Sequence, residues 1–252
     1  MPLHLRLLFP VLTLALGTGL GFIEPFGLLL GSLFVLLLLA GERHLPNWLW
    51  LPLILLGGIA LAAHVVPGFS PWQLWQPRLI SADAAPYGLR LSWDKLLLGT
   101  ALLAWWLGQP RQPVVSLRQA WLTCLITLVL VPVLAMALGL VAWQPKWPQG
   151  LLLWLAVNLG VAVLAEELLF RGMLQPALVK RLDTWPGLLL TAGLFGAAHL
   201  PFSTLFAAVA ACAGLGYGLA FHYSGRISLA IALHAAVNLA HLLLLSYPLR
   251  LA

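Results

Sequence analysis

A few side chains with acid–base or hydrogen-bonding chemistry stand inside long apolar runs. They are Glu166, Glu167 and Arg171 in AEELLFRG, His199 in LFGAAHL, and His234, Asn238 and His241 in LHAAVNLAH. An ionisable group at the centre of a membrane span costs about 2.5–3.5 kcal/mol on insertion scales, so each such group calls for a partner or a task. Two carboxylates, imidazoles and a carboxamide offer general-base and hydrogen-bond-donor chemistry, the equipment for hydrolysis by an activated water.

Spacing divides these groups by role. Successive helical residues lie about 100° apart, so Glu166 and Glu167 face different ways. Glu167 and Arg171 stand i, i+4 with the acid first, the better order for an ion pair on one helix face, and are read as a structural pair. Glu166 is left without a cation on its own helix and is the carboxylate available as general base. His234 and Asn238 are also i, i+4, and Phe195 and His199 repeat that spacing. At about 1.5 Å per residue Glu166 lies roughly 24 Å past Gly150 and His199 roughly 20 Å past Pro186. The two depths sum to about 44 Å, near the full bilayer thickness, so antiparallel helices would bring the two groups level if the first continues toward Leu182.

The order EExxxR, FxxxH, HxxxN, with each motif on its own hydrophobic helix, resembles the CPBP family of intramembrane proteases, which includes the type II CAAX prenyl endopeptidases. Here the motifs read Glu166-Glu167 with Arg171 and Gly172, Phe195 with His199, and His234 with Asn238; the run AGLGYGLA between the second and third is also similar. The resemblance covers about residues 150 to 245. It implies peptide-bond hydrolysis within the membrane, with Glu166 as general base and His199 helping to position the water. His234 and Asn238 would stabilise the tetrahedral oxyanion. Glu166, His199 and His234 also form a set that catalytic zinc accepts, so a divalent metal is a possible but not obligatory cofactor.

The elements that must position these groups are membrane spans. The 252 residues are 62% hydrophobic and only 8% charged, with a mean hydropathy of +0.99, against roughly 25% charge in soluble domains. Apolar windows of about 20 residues fall near 5–23, 26–40, 48–66, 95–108, 118–142, 150–170, 186–201, 203–221 and 227–246. An all-α polytopic transmembrane bundle of eight or nine spans is expected, with 26–40 and 95–108 the windows to drop first. The chain reads as one integrated membrane domain, with N-terminal helices and interfacial loops over 1–145 and a catalytic helical core over 146–252. Arg6 followed by the apolar run from Leu7 resembles a signal sequence without a small-residue cleavage site and is read as an uncleaved first span. The interval Pro67 to Asp94, with Trp72, Trp75 and Trp93, reads as an interfacial belt.

The net charge of +6 comes from thirteen Lys and Arg scattered singly between apolar runs, the pattern of loops lying on anionic lipid rather than of nucleic-acid binding. Seven basic residues, Arg6, Arg43, Arg111, Arg118, Lys180, Arg181 and Arg226, fall on the N-terminal side against five on the other. The N-terminus is therefore expected in the cytoplasm, and a bacterial inner membrane is the expected location. Cys124 and Cys212 sit in apolar runs as small hydrophobes. His241 is read as a packing or hydrogen-bonding group, His4, His44, His64 and His222 as interfacial, Gly214, Gly216 and Gly218 as a close-contact ridge, and Phe170 and Phe195 as candidates to line a groove. The expected substrate is a membrane-embedded or lipidated protein or peptide. The rival reading is a proton-coupled transporter or a non-catalytic scaffold; the chain shows neither a repeated half nor paired broken helices, which disfavours transport.

Overall fold

The fold is described from a computed structural model over residues 1–251. The helices are α1 (Leu3–Gly19), α2 (Pro25–Leu39), α3 (Gly41–His44), α4 (Asn47–Ala62), α5 (Trp93–Trp106) and α6 (Leu117–Ala137). They are followed by α7 (Leu151–Leu182), α8 (Thr184–Ala197), α9 (Thr204–Ser224) and α10 (Ile227–Leu244). Four helices, α6, α7, α9 and α10, are long and apolar enough to cross a membrane, and α1, α2 and α4 are shorter apolar helices of 10–17 residues. α5 and α8 reach 14 residues each, about 21 Å. The mostly helical architecture agrees with the sequence expectation.

Local signals explain several boundaries. Pro25 sits at the start of α2, where its missing N–H costs nothing. Ser116 and Ser203 cap α6 and α9, accepting from the backbone N–H of Gln119 and Phe206 at 3.3 and 3.0 Å. Gly225 closes α9 with φ of 65°, a left-handed conformation that glycine adopts without strain. A Cβ at that position would also stand 2.5 Å from the Pro113 carbonyl.

The chain divides into two compact units that interleave along the sequence. The first comprises Met1–Leu74, Arg90–Pro110 and Ala156–Leu169; the second comprises Trp75–Leu89, Arg111–Leu155 and Phe170–Ala252. In the first unit α5 is central, with Leu97, Leu98, Ala101, Leu102 and Ala104 wholly buried. The Thr13 and Thr100 hydroxyls meet at 3.1 Å between α1 and α5. On the other side of α5, Gly99 faces Ala165 of α7 closely enough that an added Cβ would be 3.4 Å from its backbone N. Trp93, read from sequence as interfacial, is instead 4% exposed and stacks on Phe22. The polar interval also holds a two-strand antiparallel pairing not visible in the sequence, β1 (Trp72–Gln73) with β2 (Arg90–Leu91).

In the second unit α6, α8, α9 and α10 pack together, and Gly196 lets α8 touch α9: a Cβ there would lie 2.6 Å from the Ala207 carbonyl. The segment after α10 folds back within this unit. Ser246 Oγ donates to Asp83 at 2.7 Å, Arg250 pairs with Asp83 at 3.3 Å, and the Trp154 indole N–H donates to the Tyr247 hydroxyl at 3.1 Å. Outward faces are apolar, as with Leu122, Leu125, Ile126 and Val129 on α6, a surface suited to hydrocarbon rather than water.

Candidate active site

α7 carries the acidic motif and is not uniformly α-helical. Two π-helical stretches, Asn158–Val163 and Leu168–Leu174, flank a single α turn at Leu164–Glu167. π segments, whose bonds run i→i+5, occur frequently at functional sites. The helix does continue past Arg171 to Leu182, as the depth argument required. Arg171 lies in the second π stretch, one turn beyond Glu167. Both side chains are fully buried.

In the first unit, Lys95 near the start of α5 places its ammonium 2.7 Å from Glu166 Oε1, with each side chain less than a fifth exposed. Glu166 has no cation on its own helix, as the sequence indicates, but its counter-charge comes from α5. Spacing along one helix reveals only partners a turn or so away, whereas Lys95 is 71 residues from Glu166. Beside it, Asp94 is 4% exposed and meets His64 Nδ1 at 2.9 Å. His64, expected at the interface, is thus anchored by a buried carboxylate, in a backbone conformation of positive φ, 59°.

In the second unit, His199, His234 and Asn238 line one cavity of about 90 Å³ together with Phe195, Tyr217 and His241. His199 lies in the turn just past α8 rather than within the helix, and its Nδ1–H donates to the Phe195 carbonyl at 2.8 Å. That bond uses the FxxxH spacing and, in the neutral ring, leaves the lone pair on Nε2. His234 is 5% exposed, stacked on Tyr217 at 4.6 Å and edge-on to Phe195 at 5.9 Å. His241 donates through Nε2 to the Ser246 carbonyl at 3.0 Å, the hydrogen-bonding part read for it.

Phe195 is the hub of this unit's aromatic core. The Arg171 guanidinium lies 4.3 Å from its ring centre and donates to the Gly214 carbonyl at 2.9 Å; His199 and Phe170 meet the same ring at 4.9 and 5.1 Å. Of the two phenylalanines proposed for a groove, Phe195 lines the cavity and Phe170 packs behind it. Sequence reading missed Gln175, whose Nε2 donates to the Gly218 carbonyl at 3.0 Å. It repeats, one turn along, the bond from Arg171 to Gly214. The signal was present: Arg171 and Gln175 are four apart, as are Gly214 and Gly218.

Glu166 and Glu167 fall in the first unit, and Arg171, His199, His234 and Asn238 in the second. Among the described residues no group of three or more His, Cys, Asp or Glu side chains is placed to hold a metal ion.

Long apolar helices with imidazoles, a carboxamide and an ion-paired carboxylate inside them define a class, helical integral membrane proteins with polar chemistry at membrane depth. Residues 148–240 match the family model described as Rce1-like, type II CAAX prenyl endopeptidase Rce1-like. The match supports a CAAX protease-like assignment for this segment, which carries all three motifs, in line with the motif resemblance. No curated protein and no solved structure matched in the corresponding comparisons.

Proposed function

We propose that this protein is an intramembrane endopeptidase in which Glu166 activates a water molecule for attack on a peptide bond of a membrane-anchored or lipidated substrate. The observation that carries the reading is the cavity lined by His199, His234 and Asn238 in a chain of CAAX protease-like sequence. Glu166 takes the proton of the attacking water, and Lys95 holds the carboxylate in place. His199, its Nδ1–H committed to the Phe195 carbonyl, accepts through Nε2 and orients the water. His234 and the Asn238 amide donate to the oxyanion as the carbonyl carbon becomes tetrahedral. Glu167 and Arg171 support the site rather than react.

The shorter helices α1, α2 and α4 embed with the four long ones in this reading, and with the 14-residue α5 and α8 they make up the eight or nine spans proposed from the sequence. The bacterial inner membrane remains the proposed location. Water activation is assigned to the carboxylate alone, so cleavage is expected to survive exhaustive chelation; loss of cleavage that added zinc restores would reverse this part.

The test is terminal proteomics of membranes from cells with the wild-type chain, without it, and with Glu166→Gln. New chain ends that appear with the wild type and vanish in the variant, at equal membrane levels of protein, are the expected result. Ends that persist in Glu166→Gln would overturn the proposal in favour of a scaffold or transporter.

A further inference from the structure

A second cavity, of about 430 Å³, lies wholly within the first unit between α1, α2, α3 and the end of α5, in the range of about 300–1,000 Å³ usual for ligand pockets. Its walls and its end differ in chemistry. Leu7 and Val11 of α1 and Val35 and Leu36 of α2 make it hydrocarbon-lined, while Arg6 and Arg43 stand where α1 begins and α2 has ended.

The two guanidiniums are incompletely satisfied by the protein. Arg6 donates through one Nη to the Ala104 carbonyl at 3.0 Å, which fixes its head, yet its buried Nε has no hydrogen-bond partner among the described residues. Arg43 makes no side-chain hydrogen bond or ion pair among them. The one carboxylate lining the cavity, Glu42, accepts from the Gln109 amide at 3.2 Å. Two Arg against one Glu leave a net positive end on an apolar slot. The buried Nε of Arg6 goes unmade at a cost, and the exposed Arg43 guanidinium, with no acceptor among the described residues, is open to one supplied from outside.

A soluble anion would satisfy the arginines and leave the hydrocarbon walls wet; a neutral lipid or isoprenoid chain would fill the walls and leave the arginines unmatched. One common membrane component meets both demands. We propose that this cavity is a binding site for an anionic phospholipid, the phosphodiester held by Arg6 and Arg43 through charge-assisted hydrogen bonds and the upper part of an acyl chain lying along Leu7, Val11 and Leu36. The site is independent of the protease reading.

The experiment is native mass spectrometry of the full-length protein in non-ionic detergent. It is titrated with phosphatidylglycerol, with phosphatidylcholine of the same acyl chains, and with glycerol 3-phosphate as the free headgroup. Phosphatidylglycerol is expected to be retained about fivefold or more over phosphatidylcholine, the ratio that one arginine near an anionic headgroup confers. Arg43→Gln, which breaks no bond within the protein, should remove that preference, and Val11→Trp should reduce retention of both lipids by filling the slot. Equal retention of the two lipids, an Arg43→Gln variant that keeps the preference, or retention unchanged in Val11→Trp would each overturn the proposal. So would displacement of phosphatidylglycerol by equimolar glycerol 3-phosphate, which would show a soluble-phosphate site instead.

Discussion

General-base catalysis sets a geometric demand before any other, because a carboxylate displaced by 1 Å can lose about a hundredfold in rate. Lys95 meets that demand for Glu166 with a contact of 2.7 Å in a largely enclosed setting. Removing the ammonium leaves the carboxylate without this anchor, so Lys95→Met is expected to slow cleavage by roughly ten- to a hundredfold, while Lys95→Arg retains most of the rate. Both are measured as turnover in proteoliposomes against a substrate found by terminal proteomics. A Lys95→Met protein with the wild-type rate would remove Lys95 from the machinery. The acidic motif and both histidine motifs were legible residue by residue. The lysine was not, because a cation on another helix leaves no periodic trace in the sequence around Glu166.

At the scale of elements, small residues decide which backbones meet. α9 presents Gly214 and Gly218 to α7, and the carbonyls exposed there receive Arg171 and Gln175; a larger residue at either position would block a buried polar bond as well as a packing contact. α8 supplies a controlled comparison. A Cβ at Gly196 would stand 2.6 Å from a backbone oxygen of α9, whereas Gly193 has nothing within 4 Å. Gly196→Ala is therefore expected to cost about 1–3 kcal/mol through overpacking, and Gly193→Ala to be neutral or to add about 0.5–1 kcal/mol by stiffening the helix. Thermal unfolding of the two variants in the same detergent separates them; equal midpoints would refute the crossing. The GxxxG spacing announced close contact but not its partners. The π stretches of α7 gave no sequence signal, since an extra residue per turn inside an unbroken apolar helix changes neither composition nor hydropathy.

At the scale of the molecule, the segment after α10 and loops far from it in sequence are tied together within one unit. Tyr247 receives the Trp154 indole N–H and packs edge-on to Tyr87 at 4.9 Å, and Asp83 takes both Ser246 and Arg250. Burial, with Tyr87 beside it, pushes the Tyr247 phenol well above its ordinary value of 10.0. The folded chain thus favours the neutral phenol: this contribution is whole below the ordinary value and is lost as the pH rises beyond it. Tyr247→Phe should lower stability by about 1 kcal/mol at neutral pH through the lost hydrogen bond and should narrow its deficit against wild type at alkaline pH. Unfolding midpoints at pH 7 and above 10 check both; a deficit that widens with pH would contradict the assignment. Lys146 sits in the same region, its ammonium pushed below the usual lysine value by burial, with Asp83 opposing the shift.

Membrane class, helical architecture and the order of the three motifs were determined by the sequence alone, because hydropathy and i, i+4 spacing are local properties that a linear reading preserves. The counter-ion of Glu166, the burial of Trp93, the anchoring of His64 by Asp94 and the cavity shared by His199, His234 and Asn238 were decided only in three dimensions. Each depends on residues tens of positions apart being brought within hydrogen-bonding or van der Waals range. Such contacts arise from how helices cross, and the crossing is set by small residues acting jointly on two chains of side chains, which no window along one of them records.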